Sequence, residues 1–499
     1  MDRRSFIRSS ITAGIAASLP GSNLLAQSLI HTSTTIPGDI DAITGSGAQI
    51  TLKQAALQEL SDSLNGKLLL PKNKAYDDAR WLLSAKYDKY PAFIVQPTGS
   101  ADVQNAVDFA RENSLLLAVK CGGHAAKGLS SCDKGMQIDL SQLRNARVDT
   151  FQKTARLAGG SLLGELDHES MSHGLVTTAG SVSHTGVGGL TLGGGFGRLQ
   201  RRFGLTIDNV LEMDIVTPDG KLRRVGPNND PDLFWALRGG GGNFGVVTSF
   251  KFQLHEMQRN VIRGYALFPL AEAKQILKFY AELSEKIPDE LALGASVGGR
   301  LGQDPVVAIY FIWSGEPKKF EPIHAKIKKA GTVISESAGP MDYVAVQRSG
   351  DIQDTRTFTG NLKAGFFKSL SDELINNLID EFESNPNRST RLVIGSMGGA
   401  ISNVANEDTA FAHRDANFNV LSFVSWKTGE EGEKHVDYIN SHWSKVEPLS
   451  TGFYVNDYFD HTQEQVNATY RDNFPRLLKV KKDIDPTNLF RMNANIRAI

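Results

Sequence analysis

The chain has 499 residues, with 54 Lys and Arg against 55 Asp and Glu, and it is 40% hydrophobic and 22% charged. These values are ordinary for a soluble globular protein, and the length predicts two to four domains at roughly 100–200 residues each. The net charge of −1 excludes the strongly basic character that nucleic-acid binding or adhesion to an anionic membrane requires.

The first 26 residues indicate an export signal rather than part of the fold. Arg3 and Arg4 are followed by Phe6, Ile7 and Arg8, then by a weakly apolar stretch and a small residue near position 26. This arrangement is typical of a twin-arginine signal. We therefore expect residues 1–26 to be a signal peptide and the protein to be periplasmic or secreted. No later stretch of the sequence approaches the ~18 apolar residues that a membrane span needs.

Residues 27–64 predict an N-terminal extension, with a loose Ser/Thr/Gly-rich linker over 27–50 and an amphipathic helix over 52–64. The pattern over 92–119 then predicts a strand, a helix and a second, buried strand. Strand, helix and strand within some 30 residues form a βαβ unit. The next loop therefore lies at the carboxyl end of a strand, where open α/β sheets bind ligands.

That loop, residues 120–128, is the most informative stretch of the chain. It contains Gly122-Gly123-His124 and closes at Gly128. Paired glycines let a backbone turn sharply and approach a bulky ligand, because they lack a Cβ and accept positive φ angles. Three interpretations are open from these residues alone: a loop that cradles phosphate, a turn with an incidental histidine, or a site of flavin attachment.

Glycine makes up about 10% of the chain (48 residues), against a typical value of roughly 7%. Its clusters at 180–197 and 238–245 favour segments that lay backbone N–H groups along an anionic ligand. The sequence does not match either of two common nucleotide-binding motifs, the phosphate loop and the dinucleotide-binding fingerprint. Gly123 to Gly128 has phosphate-loop spacing, but Leu129 stands where that motif needs lysine. The Gly-x-Gly-x-x-Gly string at 240–245 follows a helix and precedes a strand, the reverse of the dinucleotide-binding order.

From about residue 258 the pattern changes to strands separated by helices. Strand-like segments cover 263–268, 306–313, 391–395 and 420–426, and helical segments cover 271–287 and 371–384. This pattern favours an α+β domain. Phe311 and Trp313 share one face of their strand and Tyr310 lies on the other, with core packing as the default interpretation for all three.

The ordered set of motifs resembles the berberine bridge enzyme-like branch of the FAD-linked oxidases, in the vanillyl-alcohol oxidase and p-cresol methylhydroxylase superfamily. The resemblance covers roughly residues 65–499. It rests on Gly122-Gly123-His124, Asp139-Leu140-Ser141, the Gly186 to Gly197 run, Phe203-Gly204-Leu205 with Asp208-Asn209, Leu233 to Val247, Tyr454-Val455-Asn456 and Asp485 to Arg491.

The resemblance implies an α+β fold with two parts. One is a two-part FAD-binding domain of the p-cresol methylhydroxylase type, over 65–257 with a C-terminal return over 446–499. The other is an α+β substrate domain with an antiparallel sheet, over 258–445.

FAD is the implied cofactor, and His124 is the residue that this family joins to the flavin 8α-methyl group. Many members add a cysteinyl link in the glycine run, but Val182 stands at that place here, and neither cysteine of the chain aligns with it. The resemblance therefore implies one covalent bond. The other residues expected around FAD are Lys120, Cys121, Gly122, Gly123, Ala125, Lys127, Gly128, Leu140, Gly180, Ser181, His184, Thr185, Gly186, Gly188, Gly189, Gly195, Gly242, Asn243, Gly245, Val246, Val247 and Asn493.

Three further points concern His184, the two cysteines and metal binding. His184 is either a partner of flavin or substrate, or a residue satisfied within a turn. Cys121 and Cys132 favour unpaired buried thiols, although an oxidising compartment would permit a bridge. The sequence holds no histidine–cysteine cluster of metal-site spacing, so we expect no metal.

The family resemblance makes Tyr454 and Asn456 the expected catalytic residues. A phenol near flavin N5 would take the hydroxyl proton of the substrate, a step that needs hydrogen-bond reach and a lowered pKa. The competing interpretation is a packed tyrosine with a satisfied hydroxyl. The alternates for the base are Asp457, Tyr458 and His461, and the cations considered for lowering the pKa are Lys479, Lys481, Lys482 and Arg491.

The expected function is oxidation of an alcohol-type carbon in a small molecule by hydride transfer to FAD, with O₂ as the electron acceptor. Sugars, oligosaccharides, alkaloids and aromatic alcohols are all open, and an amine-type carbon is the alternative. The rivals are a dehydrogenase with another acceptor and a flavin-binding protein without turnover. The family controls oxygen access near Thr185, but a threonine does not decide between oxidase and dehydrogenase.

Overall fold

The computed structural model describes residues 33–84, 86–299, 304–351, 358–384 and 390–499. The predicted signal peptide lies outside these residues, so export stays a prediction. The strands in chain order are β1 (Ile40–Ile43), β2 (Gln49–Leu52), β3 (Lys67–Leu69), β4 (Phe93–Gln96), β5 (Leu117–Lys120), β6 (Met136–Asp139), β7 (Ala146–Asp149), β8 (Thr154–Ala158), β9 (Leu175–Val176), β10 (Val210–Val216), β11 (Leu222–Val225), β12 (Val246–Gln253), β13 (His255–Glu256), β14 (Asn260–Pro269), β15 (Leu291–Gly298), β16 (Val306–Trp313), β17 (Ser335–Asp342), β18 (Phe358–Phe367), β19 (Thr390–Ser396) and β20 (Phe418–Lys427).

The α-helices alternate with these strands. In chain order they are α1 (Gln54–Ser63), α2 (Tyr76–Arg80), α3 (Ser100–Glu112), α4 (Leu163–Met171), α5 (Val187–Gly193), α6 (Gln200–Phe203), α7 (Pro231–Leu237), α8 (Ala273–Ser284), α9 (Pro317–Lys328), α10 (Tyr343–Arg348), α11 (Asp372–Ser384), α12 (Glu433–Val446), α13 (Gln463–Thr469) and α14 (Phe474–Ile484). Across the described ranges, no helix combines the length and the apolar character that crossing a bilayer would take.

A four-stranded sheet of order β3-β4-β6-β5 carries the loop at 120–128. Strands β4 and β5 both run parallel to β6, which lies between them, and α3 connects β4 to β5. The predicted strand, helix and strand are confirmed, with β6 inserted. At the carboxyl ends of the three parallel strands, the Gln96 amide donates to the Asp139 carboxylate at 2.9 Å, and the Lys120 ammonium lies 3.6 Å from the same carboxylate. These buried contacts fix the point at which the loop leaves the sheet.

A five-stranded antiparallel sheet of order β11-β10-β12-β8-β7 forms the second layer. Its core contains Phe250 of β12 and Leu233 of α7, together with Phe453, Leu477 and Ile496 from the end of the chain. The C-terminal segment therefore packs back onto this sheet. These shared cores support the proposed division at 65–257, 258–445 and 446–499, which stays a proposal.

A seven-stranded antiparallel sheet of order β17-β14-β16-β15-β19-β20-β18 forms the other half of the molecule. Helices α8, α9, α11 and α12 contribute side chains to one core with its strands. Phe311 and Trp313 are buried in that core, which confirms the packing interpretation for both. The Tyr310 ring, on the opposite strand face, covers Gly294 of the neighbouring strand. Together the three sheets form the α+β fold that the sequence predicts.

The N-terminal segment differs from the predicted linker over 27–50. Residues 40–52 form the antiparallel pair β1 and β2. Ile36, Ala42 and Leu52 are buried in the same core as Val95 of β4. The physical reason is that sparse apolar residues among Ser, Thr and Gly are enough to anchor a short hairpin onto an existing sheet.

An aromatic cluster connects the seven-stranded sheet to the glycine-rich half. Phe366 of β18 packs with Phe196, Phe411 and Tyr454. The rings of Phe196 and Tyr454 meet edge to face with centroids 4.5 Å apart, and those of Phe196 and Phe366 are 5.8 Å apart. This packing holds Tyr454 in place where the two halves meet.

Candidate active site

A cavity of about 370 Å³ lies at the carboxyl end of β5. Five parts of the chain form most of its walls: the loop after β5, the start of α5, residues 241–247, residues 454–458 and residues 490–494. The volume falls in the range of small-molecule and cofactor sites. Segments that are distant in sequence therefore converge on one site.

The loop after β5 offers a row of free backbone donors to this cavity. Within the described part of the chain, the N–H groups of residues 123–127 donate to no backbone or side-chain group. Gly123 makes the turn at φ +72° and Gly128 closes it at φ +65°. Consecutive free N–H groups beside a cavity form a concave donor site that suits an anionic or polar ligand.

This loop touches the second glycine-rich segment directly at Gly122 and Gly186. A Cβ on Gly122 would lie 2.3 Å from the backbone nitrogen of Gly186, and a Cβ on Gly186 would lie 2.3 Å from that of Gly122. Side chains are excluded at both positions, since a contact this short involves rigid backbone on both sides. The contact brings His124 beside the loop at 183–185.

His124 lies in the cavity wall and contacts two residues of that loop. Its Nε2 atom is 2.7 Å from Nδ1 of His184, and its Nδ1 atom is 3.3 Å from the Thr185 hydroxyl. Burial, followed by the proximity of His184, lowers the pKa of His124 to about 4. The imidazole is therefore neutral at physiological pH and holds a lone pair, which nucleophilic attack requires.

Most of the residues expected around FAD line this cavity. They are Cys121, Gly122, Gly123, His124, Ala125, Lys127, Leu140, Thr185, Gly186, Gly188, Gly189, Gly242, Gly245, Val246, Val247 and Asn493, together with the expected catalytic residues Tyr454 and Asn456.

Three of the expected residues lie outside the cavity lining and hold neighbouring parts of the chain in place. Lys120 donates to the backbone oxygen of Ala79 at 2.8 Å. Asn243 is fully buried, and its amide binds the backbone at Gly240 and in the C-terminal segment. Gly195 donates its N–H to Tyr454 at 2.9 Å.

The remaining expected residues lie in turns or in a neighbouring wall. Gly128 accepts a hydrogen bond from Lys89, and Ser181 accepts one from Arg198. Gly180 turns the chain at φ +62°. His184 lines a second cavity instead.

Tyr454 presents its phenol oxygen to two donors. The N–H of Gly195 is 2.9 Å away and the Asn456 amide is 2.7 Å away, and the same amide also donates to the Leu190 carbonyl at 3.1 Å. Burial raises the pKa of Tyr454 above its ordinary value, although both donors act in the opposite direction. This environment therefore does not supply the lowered pKa that a tyrosine base needs. The four cations considered for lowering it lie outside the cavity lining.

Asp457 and Tyr458, two of the alternates for the base, also line the cavity. The surrounding protein shields the Asp457 carboxyl from water and raises its pKa to about 7. The Lys127 ammonium lies 3.4 Å from the Tyr458 hydroxyl and 4.6 Å from the centre of its ring. His461, the third alternate, stacks on Phe453 with centroids 3.6 Å apart and lies outside the lining.

The apolar residues of the cavity wall could not be identified from the sequence. It is formed by Leu117, Val119, Leu129, Leu190, Leu192, Phe196, Val455, Tyr470, Phe490 and Met492. Aliphatic and aromatic residues are typical of any core, so only the tertiary structure assigns them to a ligand site.

Both cysteines are unpaired thiols. Burial raises the pKa of Cys121 to about 11 and that of Cys132 to about 12, so neither forms a reactive thiolate near neutral pH. Among the described residues, no group of three or more histidines, cysteines and carboxylates is placed to hold a metal ion.

Comparison with known proteins identifies the family. Residues 91–226 match the FAD binding domain family, and residues 453–497 match the family described as berberine and berberine like. An FAD-linked oxidoreductase of Dictyostelium discoideum is 31% identical over 451 residues, which cover 89% of this chain and 97% of the relative. The chain belongs to the berberine bridge enzyme-like FAD-linked oxidoreductases.

Two further comparisons agree with this berberine bridge enzyme-like assignment. (R)-6-hydroxynicotine oxidase of Paenarthrobacter nicotinovorans is 27% identical over 453 residues, covering 87% of this chain and 97% of the relative. The crystal structure of 6-hydroxy-D-nicotine oxidase from Arthrobacter nicotinovorans shares the fold with a TM-score of 0.79 at 26% identity, covering 87% of this chain and 98% of that one.

The cavity of this FAD-linked oxidoreductase fits its cofactor. The free N–H row at 123–127 suits a diphosphate. A methyl group added at Gly189 or Gly242, both in the cavity wall, would meet no protein atom within 4 Å. Because neither residue has a side chain, the part of the cavity beside them stays open for a bulky ligand.

We expect Gly242→Ala to fold normally and to bind FAD more weakly, because its methyl group enters this open space. Overpacking of about 1–3 kcal/mol corresponds to a Kd raised roughly 5- to 150-fold. The measurement is FAD titration in a His124→Ala background, which keeps binding reversible. Gly38→Ala is the matched control, since Gly38 also has no atom within 4 Å of its added Cβ but lies outside the cavity. Equal Kd values for the two variants would contradict the assigned wall.

Proposed function

We propose that this enzyme oxidises an alcohol-type carbon of a small molecule, such as a sugar, oligosaccharide, alkaloid or aromatic alcohol, with O₂ as the electron acceptor. FAD, held by one covalent bond through His124, would supply the redox chemistry by accepting hydride at flavin N5. The observation that carries the proposal is the Tyr454–Asn456 pair, which lines the same cavity as His124.

Tyr454 and Asn456 form a preorganised polar site in a largely apolar wall. The two donors on the phenol oxygen come from Gly195 and Asn456. They orient the phenol and stabilise negative charge on its oxygen as that charge develops. The Tyr454 hydroxyl is therefore placed to hold the hydroxyl group of a substrate and to take part in its deprotonation.

Asp457 is the group suited to receive the proton. Its pKa of about 7 allows it to act as a base at neutral pH. Within the described residues, its carboxylate has no hydrogen-bond or ion-pair partner, and its charge acts on Tyr454. In this proposal the Tyr454 phenol receives the substrate proton as it releases its own proton, and the Asp457 carboxylate accepts the proton that the phenol releases.

The single covalent bond is supported by the geometry at His124. Its neutral imidazole lines the cavity, and the glycine run presents Val182 where a second link would need cysteine. Burial keeps Cys121 protonated. A bond through one histidine is therefore the form of attachment that these residues favour.

The acceptor and the substrate class are proposed from the name of a relative. The relative named (R)-6-hydroxynicotine oxidase supports O₂ as the acceptor by its description as an oxidase. Its named substrate is an alkaloid, which keeps an amine-type carbon as the alternative. A dehydrogenase with another acceptor stays the rival within the same class. We also propose export, on the twin-arginine-like segment at residues 1–26 alone.

Substrate oxidation predicts bleaching of the flavin. Under anaerobic conditions, a panel of sugars, oligosaccharides, alkaloids and aromatic alcohols should include compounds that abolish the oxidised flavin absorbance. Admitting O₂ should restore the absorbance and release one peroxide per substrate. Bleaching without reoxidation by O₂ would favour the dehydrogenase, and no bleaching by any class would favour a flavin-binding protein without turnover.

The proton path predicts a distinct result for each of two variants. Tyr454→Phe should slow substrate-dependent bleaching about 10²- to 10⁴-fold. In the wild type the rate should rise as pH increases through about 7, because the ionised form of Asp457 is the acceptor. Asp457→Asn should remove that rise. The control is Tyr280→Phe, which deletes a buried hydroxyl bonded to Leu293 and Ile394 in the seven-stranded sheet. A pH rise retained in Asp457→Asn would contradict its role.

Covalent attachment predicts flavin that survives denaturation. Acid-precipitated wild-type protein should be yellow, and its intact mass should exceed that of the polypeptide by one FAD. His124→Ala should bind FAD but release it into the acid supernatant. Acid-stable flavin in His124→Ala would place the bond elsewhere.

A further inference from the structure

The face of the seven-stranded sheet that points away from its helices carries a groove that begins at Tyr454. The strand register places five residues of this face in one row across β18, β20, β19, β15 and β16: Phe366, Asn419, Gly395, Gly294 and Tyr310. Phe366 packs against Tyr454 at one end of the row. A Cβ added at Gly395 would meet only a backbone oxygen, at 4.0 Å. The middle of the row is therefore open, and we call this space the sheet groove.

Polar groups without partners face the sheet groove. The side-chain oxygen of Asn419 is shielded from water and has no hydrogen-bond partner. The Tyr310 ring lies over Gly294, and within the described part of the chain its hydroxyl bonds to no protein group. A buried polar group normally finds a partner, so these two groups point to a polar ligand.

Arg198 reaches the groove from the FAD-binding half. It follows Phe196, which lines the FAD cavity, by two residues. One terminal nitrogen of its guanidinium donates to the Ser181 carbonyl at 3.1 Å, and its Nε atom is shielded from water without a partner. Arg198 therefore lies between the flavin site and the sheet, with a donor still free.

Positive charge is concentrated around Tyr310. Burial raises the pKa of Tyr310, while the charges of Arg391 and Arg198 act in the opposite direction. Arg263, on the same face of β14, places a third positive charge near Arg198. Among the described residues, none of these three arginines forms an ion pair within 4 Å. Arg263 and Arg391 are exposed and Arg198 is half-buried, so the charge of Arg198 is the least screened by solvent.

The nearest carboxyl groups have other partners. Asp167 of α4 accepts a hydrogen bond at 3.2 Å from Gln347 of α10, and burial raises its pKa to about 7. The Asp351 carboxylate receives the N–H and the hydroxyl of Ser183 at 2.7 and 2.5 Å. Neither carboxyl pairs with Arg198, so the groove keeps an excess of positive charge.

We propose that Arg198 and Tyr310 form a subsite for a carboxylate of the substrate, and that the enzyme oxidises acidic alcohols, such as an acidic oligosaccharide or a carboxylated aromatic alcohol. A guanidinium offers N–H donors in a geometry that matches a carboxylate, and a cleft with one sign of charge attracts anions. Arg391 and Arg263 add to that attraction. The inference rests on the proposed function, because it names the substrate class of the same site.

The position of the subsite sets the shape of such a substrate. Phe366 and Tyr310 are four strands apart, about 19 Å at roughly 4.8 Å per strand, and the Tyr310 ring reaches back over β15. The carboxylate is therefore expected at the end of the substrate that is remote from the carbon oxidised near Tyr454. Arg198 then determines specificity by binding this end.

The test compares matched acidic and neutral compounds on the holoenzyme. The pairs are 4-(hydroxymethyl)benzoate with benzyl alcohol, and a glucose disaccharide carrying glucuronate as its non-reducing sugar with cellobiose. Anaerobic calorimetric titration gives Kd without requiring turnover, and flavin bleaching gives the rate of oxidation. We expect at least one acid to bind more tightly than its neutral partner, with an affinity that falls as ionic strength rises.

Arg198→Gln should raise the Kd of that acid roughly 10- to 100-fold. Its affinity for the neutral partner and its bleaching rate at saturation should stay unchanged. The matched control is Arg202→Gln, which removes a guanidinium bonded to the Ser314 carbonyl at 2.7 Å in the wall of a different cavity. FAD content and thermal unfolding show whether each variant is folded.

Three results would overturn the inference. They are wild-type acids that bind no more tightly than their neutral partners, an affinity for the acid that does not depend on salt, and equal losses of acid and neutral binding in Arg198→Gln. Salt-dependent binding of the acid without bleaching would support the carboxylate subsite and contradict the proposed oxidation, so the two failures are distinguishable.

Discussion

The site depends on the contact between the backbones of Gly122 and Gly186. Any side chain at either position would overlap the other chain, with a Cβ only 2.3 Å from a backbone nitrogen. This contact joins the loop after β5 to the segment that leads into α5. It therefore sets the distance between His124 and the residues at 183–185, and both glycines line the FAD cavity. A single substitution there would separate parts that are about 60 residues apart in sequence.

The second constraint is the low polarity of the cavity. Burial shifts each titratable group toward its neutral form, so His124 is neutral, Tyr454 is protonated, and the pKa of Asp457 rises to about 7. A neutral histidine is a nucleophile and a carboxylate that titrates near neutral pH is a usable base. In the proposed function, the same physical effect favours attachment of the cofactor at one wall and proton transfer from a substrate at another.

The local parts of the fold follow from sequence patterns, whereas the functions of single residues inside motifs do not. The spacing over 92–119 predicts a parallel unit and places the histidine loop at a strand end, and both are confirmed. Asn243 lies inside a glycine motif but binds the C-terminal segment, because its partners come from residues some 250 positions away. Asp208 likewise holds Arg414 in a buried ion pair at 2.7 Å, rather than lining the cavity. Such partners appear only once the chain is folded.

The free N–H groups of residues 123–127 and the imidazole of His124 are expected to surround FAD in the loaded enzyme. A crystal structure of the purified yellow protein tests this arrangement most directly. We expect FAD oxygens within hydrogen-bond distance of the 123–127 backbone, and continuous density from the His124 ring to the flavin 8α carbon. FAD bound with its ring remote from His124, and with water alone facing those N–H groups, would contradict it.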